Sequence, residues 1–116
     1  MSKMPLGARP TAIHRMLNPA SVAVIGASED RSKFGGRLIS NLLHHGFKGT
    51  VYPINPKREV IFGHKAYPEI TDVPSPPDVA AVAVPVTGLL ECIRGCVEAG
   101  VKIAIVITGQ LAETGE

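Results

Sequence analysis

Gly26, Ala27 and Ser28 follow directly on the apolar run Ser21-Val-Ala-Val-Ile25. A charged loop of Glu29, Asp30, Arg31, Ser32 and Lys33 then leads through Phe34 to Gly35-Gly36. Small residues after a strand let an anion approach the backbone. A helix N-terminus beyond them offers unpaired N–H groups and the positive end of the macrodipole. The chemistry open to this stretch is phosphate binding, although any strand-to-helix turn also needs a glycine. Three further apolar runs end in small or polar residues: Ile54 in Asn55-Pro56-Lys57, Val84 in Pro85-Val86-Thr87, and Ile107 in Thr108-Gly109-Gln110. Parallel strands would bring all four ends to one edge, where ligands bind at a switch in strand order.

The elements that must position these ends are legible in order. Residues 1–10, with Pro5, Gly7 and Pro10, read as a loose arm. Thr11 opens a short helix with Ile13, Met16 and Leu17 at helical spacing, and Asn18-Pro19 ends it. The first strand spans 21–25. Leu38 with Leu42, and Ile39 with Leu43, mark a helix over 35–45 that Gly46 closes. His44 and His45 in its last turn have a simple dipole explanation. The second strand spans 50–54. Residues 57–77 are turn-rich; 59–62 and 65–67 either pair as a hairpin around Gly63-His64 or stay as loop. Residues 79–84 are apolar without alternation, the pattern of a strand covered on both faces in a parallel sheet. A helix over 87–99 has Leu89, Leu90, Ile93, Cys96 and Val97 as its inner stripe, and 101–107 is the last strand. The fold class is α/β, a doubly wound, mostly parallel, Rossmann-like sheet, in one domain over 11–116.

Composition narrows the function. The 116 residues are 45% hydrophobic and 19% charged, which fits one folded α/β domain. A net charge of +2 on scattered basic residues, with 4% aromatics, speaks against a nucleic-acid partner. No apolar run approaches membrane-spanning length, and the basic N-terminal segment lacks a signal core, so a cytoplasmic location is expected. Cys92 and Cys96 stand four apart with no partner histidine, which suits buried apolar residues better than zinc ligands.

A dinucleotide fingerprint would read G-x-G-x-x-G, with an acid at the end of the second strand for the ribose hydroxyls. Here the spacing is G-A-S-x6-G-G, and Asn55 and Lys57 occupy the place of the acid. A cation there suits a phosphorylated ribose, which NADP and coenzyme A (CoA) both carry. The long loop with Arg31 and Lys33 has the reach to wrap a diphosphate. Lys57-Arg58 as an ordinary solvated pair remains the plain alternative.

Three segments carry a resemblance: LNPASVAVIGAS over 17–28, GFKGTVYPINPK over 46–57 and PDVAAVAVP over 77–85. In this order they resemble the CoA-binding domain of NDP-forming acyl-CoA synthetases, above all the ADP-forming acetyl-CoA synthetase type, and more distantly the succinyl-CoA synthetase α-subunit. The similarity extends over 101–115. It implies that Gly26, Ala27, Ser28, Lys33, Phe34 and Gly35 hold the CoA phosphates, and that Asn55, Pro56 and Lys57 hold the adenosine end. It also implies that Val84 and Pro85 line the pantetheine path, with Thr108, Gly109 and Gln110 near the thiol. The last turn departs from the S/T-A-G-F of the family, reading Thr108-Gly109-Gln110-Leu111. The family couples acid, CoA and ATP to acyl-CoA, ADP and phosphate through a phosphohistidine domain and a nucleotide-grasp domain. The chain would then be the first domain of such a synthetase, with further domains or a second subunit as partners. An NADP-binding module and a non-catalytic CoA-sensing subunit are the alternatives. A side chain at Gly26 is expected to block the phosphate approach while the fold persists.

Overall fold

Four short apolar stretches hydrogen-bond side by side in a parallel sheet at the centre of a computed structural model that describes residues 19–107. They are β1 (Ser21–Ile25), β2 (Thr50–Ile54), β5 (Val79–Val82) and β6 (Ile103–Val106), in the spatial order β2-β1-β5-β6. Ala23 pairs with Tyr52 on one side and Ala80 on the other, and Ala80 pairs in turn with Ala104. β1 and β5 are central, and their apolar residues are buried on both faces, as an unalternating run requires. Pro53 has no N–H to give a ladder and lies in the edge strand β2.

Helix α1 (Phe34–His44) joins β1 to β2, and helix α2 (Leu89–Ala99) joins β5 to β6. Val22, Val24 and Val79 pack with Ile39 of α1, whereas Ala23, Ile25, Ala80 and Val82 pack with Cys96 of α2. The helices therefore cover opposite faces. Their crossovers diverge from neighbouring strands, which opens a crevice between the carboxyl ends of β1 and β5. This is the doubly wound arrangement that the sequence predicts.

The differences from expectation have local causes. The 57–77 segment does form a hairpin, β3 (Val60–Ile61) with β4 (His64–Lys65), but its turn is Phe62-Gly63. Both turn residues have positive φ, 50° and 79°, the geometry of a tight two-residue hairpin. β5 stops at Val82 because β1 turns away at Gly26; the Ala83 N–H makes the last bond, to the Ile25 carbonyl at 2.8 Å. β6 begins at Ile103 because the Val101 N–H closes α2 on the Cys96 carbonyl at 3.0 Å. Residues 86–88 form a 3₁₀ turn before α2.

The inner stripe of α2 needs correction. Leu89 and Cys96 face the core as expected, but Leu90 and Val97 are 66% and 74% exposed, and Cys92 and Ala99 take their place on the packed face. Small residues suit this face because a 3₁₀ turn over 70–72 packs close against α2: a Cβ at Gly95 would lie 2.9 Å from Ile70 Cγ2. The expected helix over 11–17 lies outside the described residues, as do Thr108, Gly109 and Gln110.

Candidate functional site

The loop from β1 to α1 is built by its own polar residues. Ser28 Oγ accepts the Asp30 N–H at 2.9 Å. Asp30 Oδ1 accepts the Ser32 N–H at 2.9 Å and its hydroxyl at 2.6 Å. The Asp30 carbonyl accepts the Lys33 N–H at 3.0 Å, which starts the chain into α1. The Ser32 hydroxyl and amide hold the Asp30 carboxyl below its ordinary pKa. Gly35 and Gly36 let the first turn of α1 lie against this loop, since Cβ atoms there would fall 2.0 Å from the Gly26 and Asp30 carbonyl oxygens. Among the described residues, no acidic side chain and no capping group occupies the helix start, so the amides of Phe34, Gly35 and Gly36 keep the unpaired character of a helix N-terminus.

Gly26 has a different reason to be glycine from the one expected. Its φ is 92°, and a Cβ would lie 2.2 Å from the Ala83 carbonyl oxygen. The obstruction is the neighbouring strand's backbone rather than open ligand space, so a side chain there strikes the fold first. The Gly26 and Ala27 N–H groups both donate to the Ile54 carbonyl, at 3.2 and 3.3 Å. Ala27 is buried, and its carbonyl accepts from Asn55 Nδ2 at 2.9 Å. Asn55 Oδ1 in turn accepts the Lys57 N–H at 2.7 Å. Asn55 thus ties the end of β2 to the end of β1 and fixes where Lys57 leaves the sheet.

Two cavities of about 470 Å³ each open at the crevice and share Gly26 and Val84. The first lies under the start of α1, lined by Ser32, Lys33, Phe34, Gly35 and Arg37 on one side and Ala83, Val84, Pro85 and Ile107 on the other. The second runs between the end of β2 and α2, among Ile25, Ile54, Pro56, Pro68, Ile70, Cys92 and Gly95, with Glu69 and Glu91 as its charged members. One lobe is cationic beside a helix N-terminus; the other is mostly apolar.

Of the expected site residues, Gly26, Lys33, Phe34, Gly35, Val84 and Pro85 share the first lobe, and Gly26, Pro56 and Val84 share the second. Ala27 and Asn55 support the wall, Ser28 serves the loop's own turn, and Lys57 is exposed just past Pro56. Sequence reasoning missed Ser32 and Arg37 in the first lobe, and Glu69, Ile70, Glu91, Cys92 and Gly95 in the second. The small residues of α2, Cys92, Gly95 and Cys96, are the signal that was available: they mark a helix lying close to something. Burial pushes both thiols up in pKa, with Glu91 adding to the effect at Cys92. Among the described residues, no cluster of acidic, histidine or cysteine side chains is fit to hold a metal ion, and no helix is long and apolar enough to cross a membrane.

The model of the CoA binding domain matches residues 20–115. The chain belongs to this family of CoA-binding domains. It is 41% identical over 98 residues to acetate–CoA ligase (ADP-forming) II of Archaeoglobus fulgidus, covering 84% of this chain and 15% of the ligase. It is 39% identical over 99 residues to the α-subunit of acetate–CoA ligase (ADP-forming) II of Pyrococcus furiosus, covering 85% of this chain and 21% of that subunit. Among solved structures, the dinucleotide-forming acetyl-coenzyme A synthetase 1 of Ca. Korarchaeum cryptofilum, in complex with phosphate and ADP, superposes with a TM-score of 0.80. The two are 50% identical, over 83% of this chain and 21% of that one. This CoA-binding domain is thus homologous to one part of ADP-forming acyl-CoA synthetases. It spans about 15% of the length of that ligase and 21% of that α-subunit.

Proposed function

We propose that the chain binds coenzyme A or an acyl-CoA in the crevice between β1 and β5, and that it does so as part of an ADP-forming acid–thiol ligase. The observation that carries this reading is the pair of unlike cavities meeting at Gly26 and Val84. A diphosphate fits the lobe with Lys33 and the free amides of α1, where charge and dipole act together. An adenine ring fits the mostly apolar lobe beside Pro56 and Cys92. The exposed Lys57 side chain lies past Pro56, on the side where the phosphorylated ribose would emerge. The pantetheine arm would follow Val84, Pro85 and Ile107 toward Thr108, Gly109 and Gln110. In the ligase reaction acid, CoA and ATP give acyl-CoA, ADP and phosphate. The part assigned to this chain is to bind and orient CoA; phosphoryl transfer through a histidine would belong to other domains or a second subunit.

Titration calorimetry with CoA, dephospho-CoA and NADP tests the reading. CoA should bind, dephospho-CoA more weakly, and NADP weakly or not at all; NADP binding tighter than CoA would favour an NADP module instead. Lys57→Ala should weaken CoA by about 1.5–3 kcal/mol, the worth of a charge-assisted hydrogen bond. An unchanged CoA affinity in that variant would remove Lys57 from the site.

A further inference from the structure

Five cations lie on the segments that follow β1 and β2, two of them, Lys33 and Arg37, lining the first lobe, and the fold uses them unequally. Arg37 Nη1 donates to the Ser32 carbonyl at 3.1 Å, and its guanidinium lies 5.8 Å from the Phe34 ring centre. The Arg31 guanidinium lies 5.7 Å from the Phe62 ring centre. Arg58 Nη2 donates to Glu29 Oε1 at 3.0 Å. The side chains of Lys33 and Lys57 make no hydrogen bond or ion pair among the described residues. The arginines are committed to the protein, while the lysines are left to the solvent and the crevice.

Glu29 is what commits Arg58. An exposed ion pair is usually weak because two long side chains must be ordered at once. Here the carboxylate is already fixed: Glu29 Oε2 accepts the Phe62 N–H at 2.7 Å. The positive φ values at Phe62 and Gly63 form the tight turn that sets the direction of that N–H. Only Arg58 has then to be ordered. The same bond is the largest cause holding the Glu29 pKa below its ordinary value.

Arg58 matters because it follows Lys57 in sequence. A free guanidinium is a forked donor that grips phosphate more firmly than an ammonium does. Released, it would compete with Lys57 for any phosphate that lies there. Resting on the coenzyme A reading, we propose that Glu29 is a specificity-determining residue. It holds Arg58 against the hairpin, so that recognition of the ribose phosphate falls to Lys57 alone.

The test compares CoA with dephospho-CoA by titration calorimetry and follows the ratio of their dissociation constants. Lys57→Gln should bring the ratio close to one, and Arg58→Gln should leave it within about twofold of the parent. Glu29→Gln keeps an acceptor for the Phe62 N–H but drops the charge, and should raise the ratio threefold or more. Adding Arg58→Gln to Glu29→Gln should restore the parent ratio, which a merely structural loss would not do. A ratio unmoved by Glu29→Gln overturns the proposal. So does an Arg58→Gln variant that loses the ratio as fully as Lys57→Gln, and this arm decides the matter even if Glu29→Gln fails to fold. If the parent chain binds neither compound, the coenzyme A reading itself has failed, and the role of Glu29 falls with it.

Discussion

The two βαβ halves of the sheet are held together by different means. In the first, side chains do the joining at the carboxyl edge: Asn55 links β2 to β1, Asp30 shapes the loop, and Glu29 ties it to the hairpin. In the second, at the same edge, no side chain makes a hydrogen bond among the described residues. A backbone bond alone closes its turn there, Gly88 to Pro85 at 3.0 Å, and at the opposite edge Val101 closes α2 on Cys96 at 3.0 Å. Among the described residues, the second half also leaves Val86, Leu90, Val97 and Val106 exposed, whereas the first exposes only Phe34 and Val60 of its large apolar side chains. A loop wired by its own polar residues is pre-organised for a rigid, charged group such as a diphosphate. A wall of Val84, Pro85 and Ile107 without polar ties suits an apolar arm that needs contact area more than fixed direction.

The strongest way to break this contrast is to put side chains on the glycines of each half. Gly35→Ala and Gly26→Val both meet backbone carbonyl oxygen near 2 Å, and at Gly26 the positive φ adds strain. Each should cost about 3 kcal/mol or more and lower the thermal midpoint by at least about 10 °C. Gly88→Ala in the second half meets nothing within 4 Å and has a negative φ, so it should be neutral or stabilising by up to about 1 kcal/mol. Thermal unfolding of the three variants checks the order. A Gly26→Val protein with parent stability would restore the simpler idea that this glycine only clears space for phosphate.

Asn55 supplies the next largest effect. Asn55→Ala leaves the Ala27 carbonyl and the Lys57 N–H without their partner, in a position that is only half open to water. The cost should be about 1–3 kcal/mol in chemical denaturation. CoA affinity should fall further than stability alone explains, because Lys57 then loses its fixed departure from the sheet. A variant of parent affinity would show that Lys57 reaches its place without that turn.

These residues also show what the sequence could and could not reveal. β1 and β2 were legible to the residue, because β-branched runs bounded by glycine or Asn-Pro leave little choice. The gathering of strand ends at one crevice was legible too, since parallel sheets and right-handed crossovers leave few topologies. The bridging bond of Asn55 was not: nothing in its residue type shows that its amide reaches the Ala27 carbonyl across a 28-residue separation. The phase of α2 was misread in part, for a physical reason. Leu89 and Cys96 do face the core, but Leu90 and Val97, which complete the apolar pattern, are exposed, and Cys92 and Gly95 lie on the packed face, Gly95 against Ile70. The apolar lobe was missed along with that phase, because its far wall is this same face of α2.

The smallest effect expected is the loosening of the first half by acid. Glu29 is held below its ordinary pKa chiefly by the Phe62 amide and further by Arg58, against a counteracting cost of desolvation. Asp30 is held low by the Ser32 hydroxyl and amide, with Lys33 helping. Both folded values lie below the unfolded ones, so the stabilisation is complete above the ordinary carboxylate range. It is lost as the pH falls through the lowered values. Both groups are exposed, and the change is therefore local and modest. In an NMR titration the Phe62 and Ser32 amide signals should shift together with the protonation of these carboxylates. The Val101 amide, bonded only to backbone in the second half, should hold its position over the same range. If all three move as one, the halves share a single cooperative acid transition, and the difference between side-chain and backbone closure has no energetic consequence. If Phe62 and Ser32 move alone, the loop that carries the helix N-terminus can open while the sheet stays intact. Ligand affinity would then fall in acid before stability does.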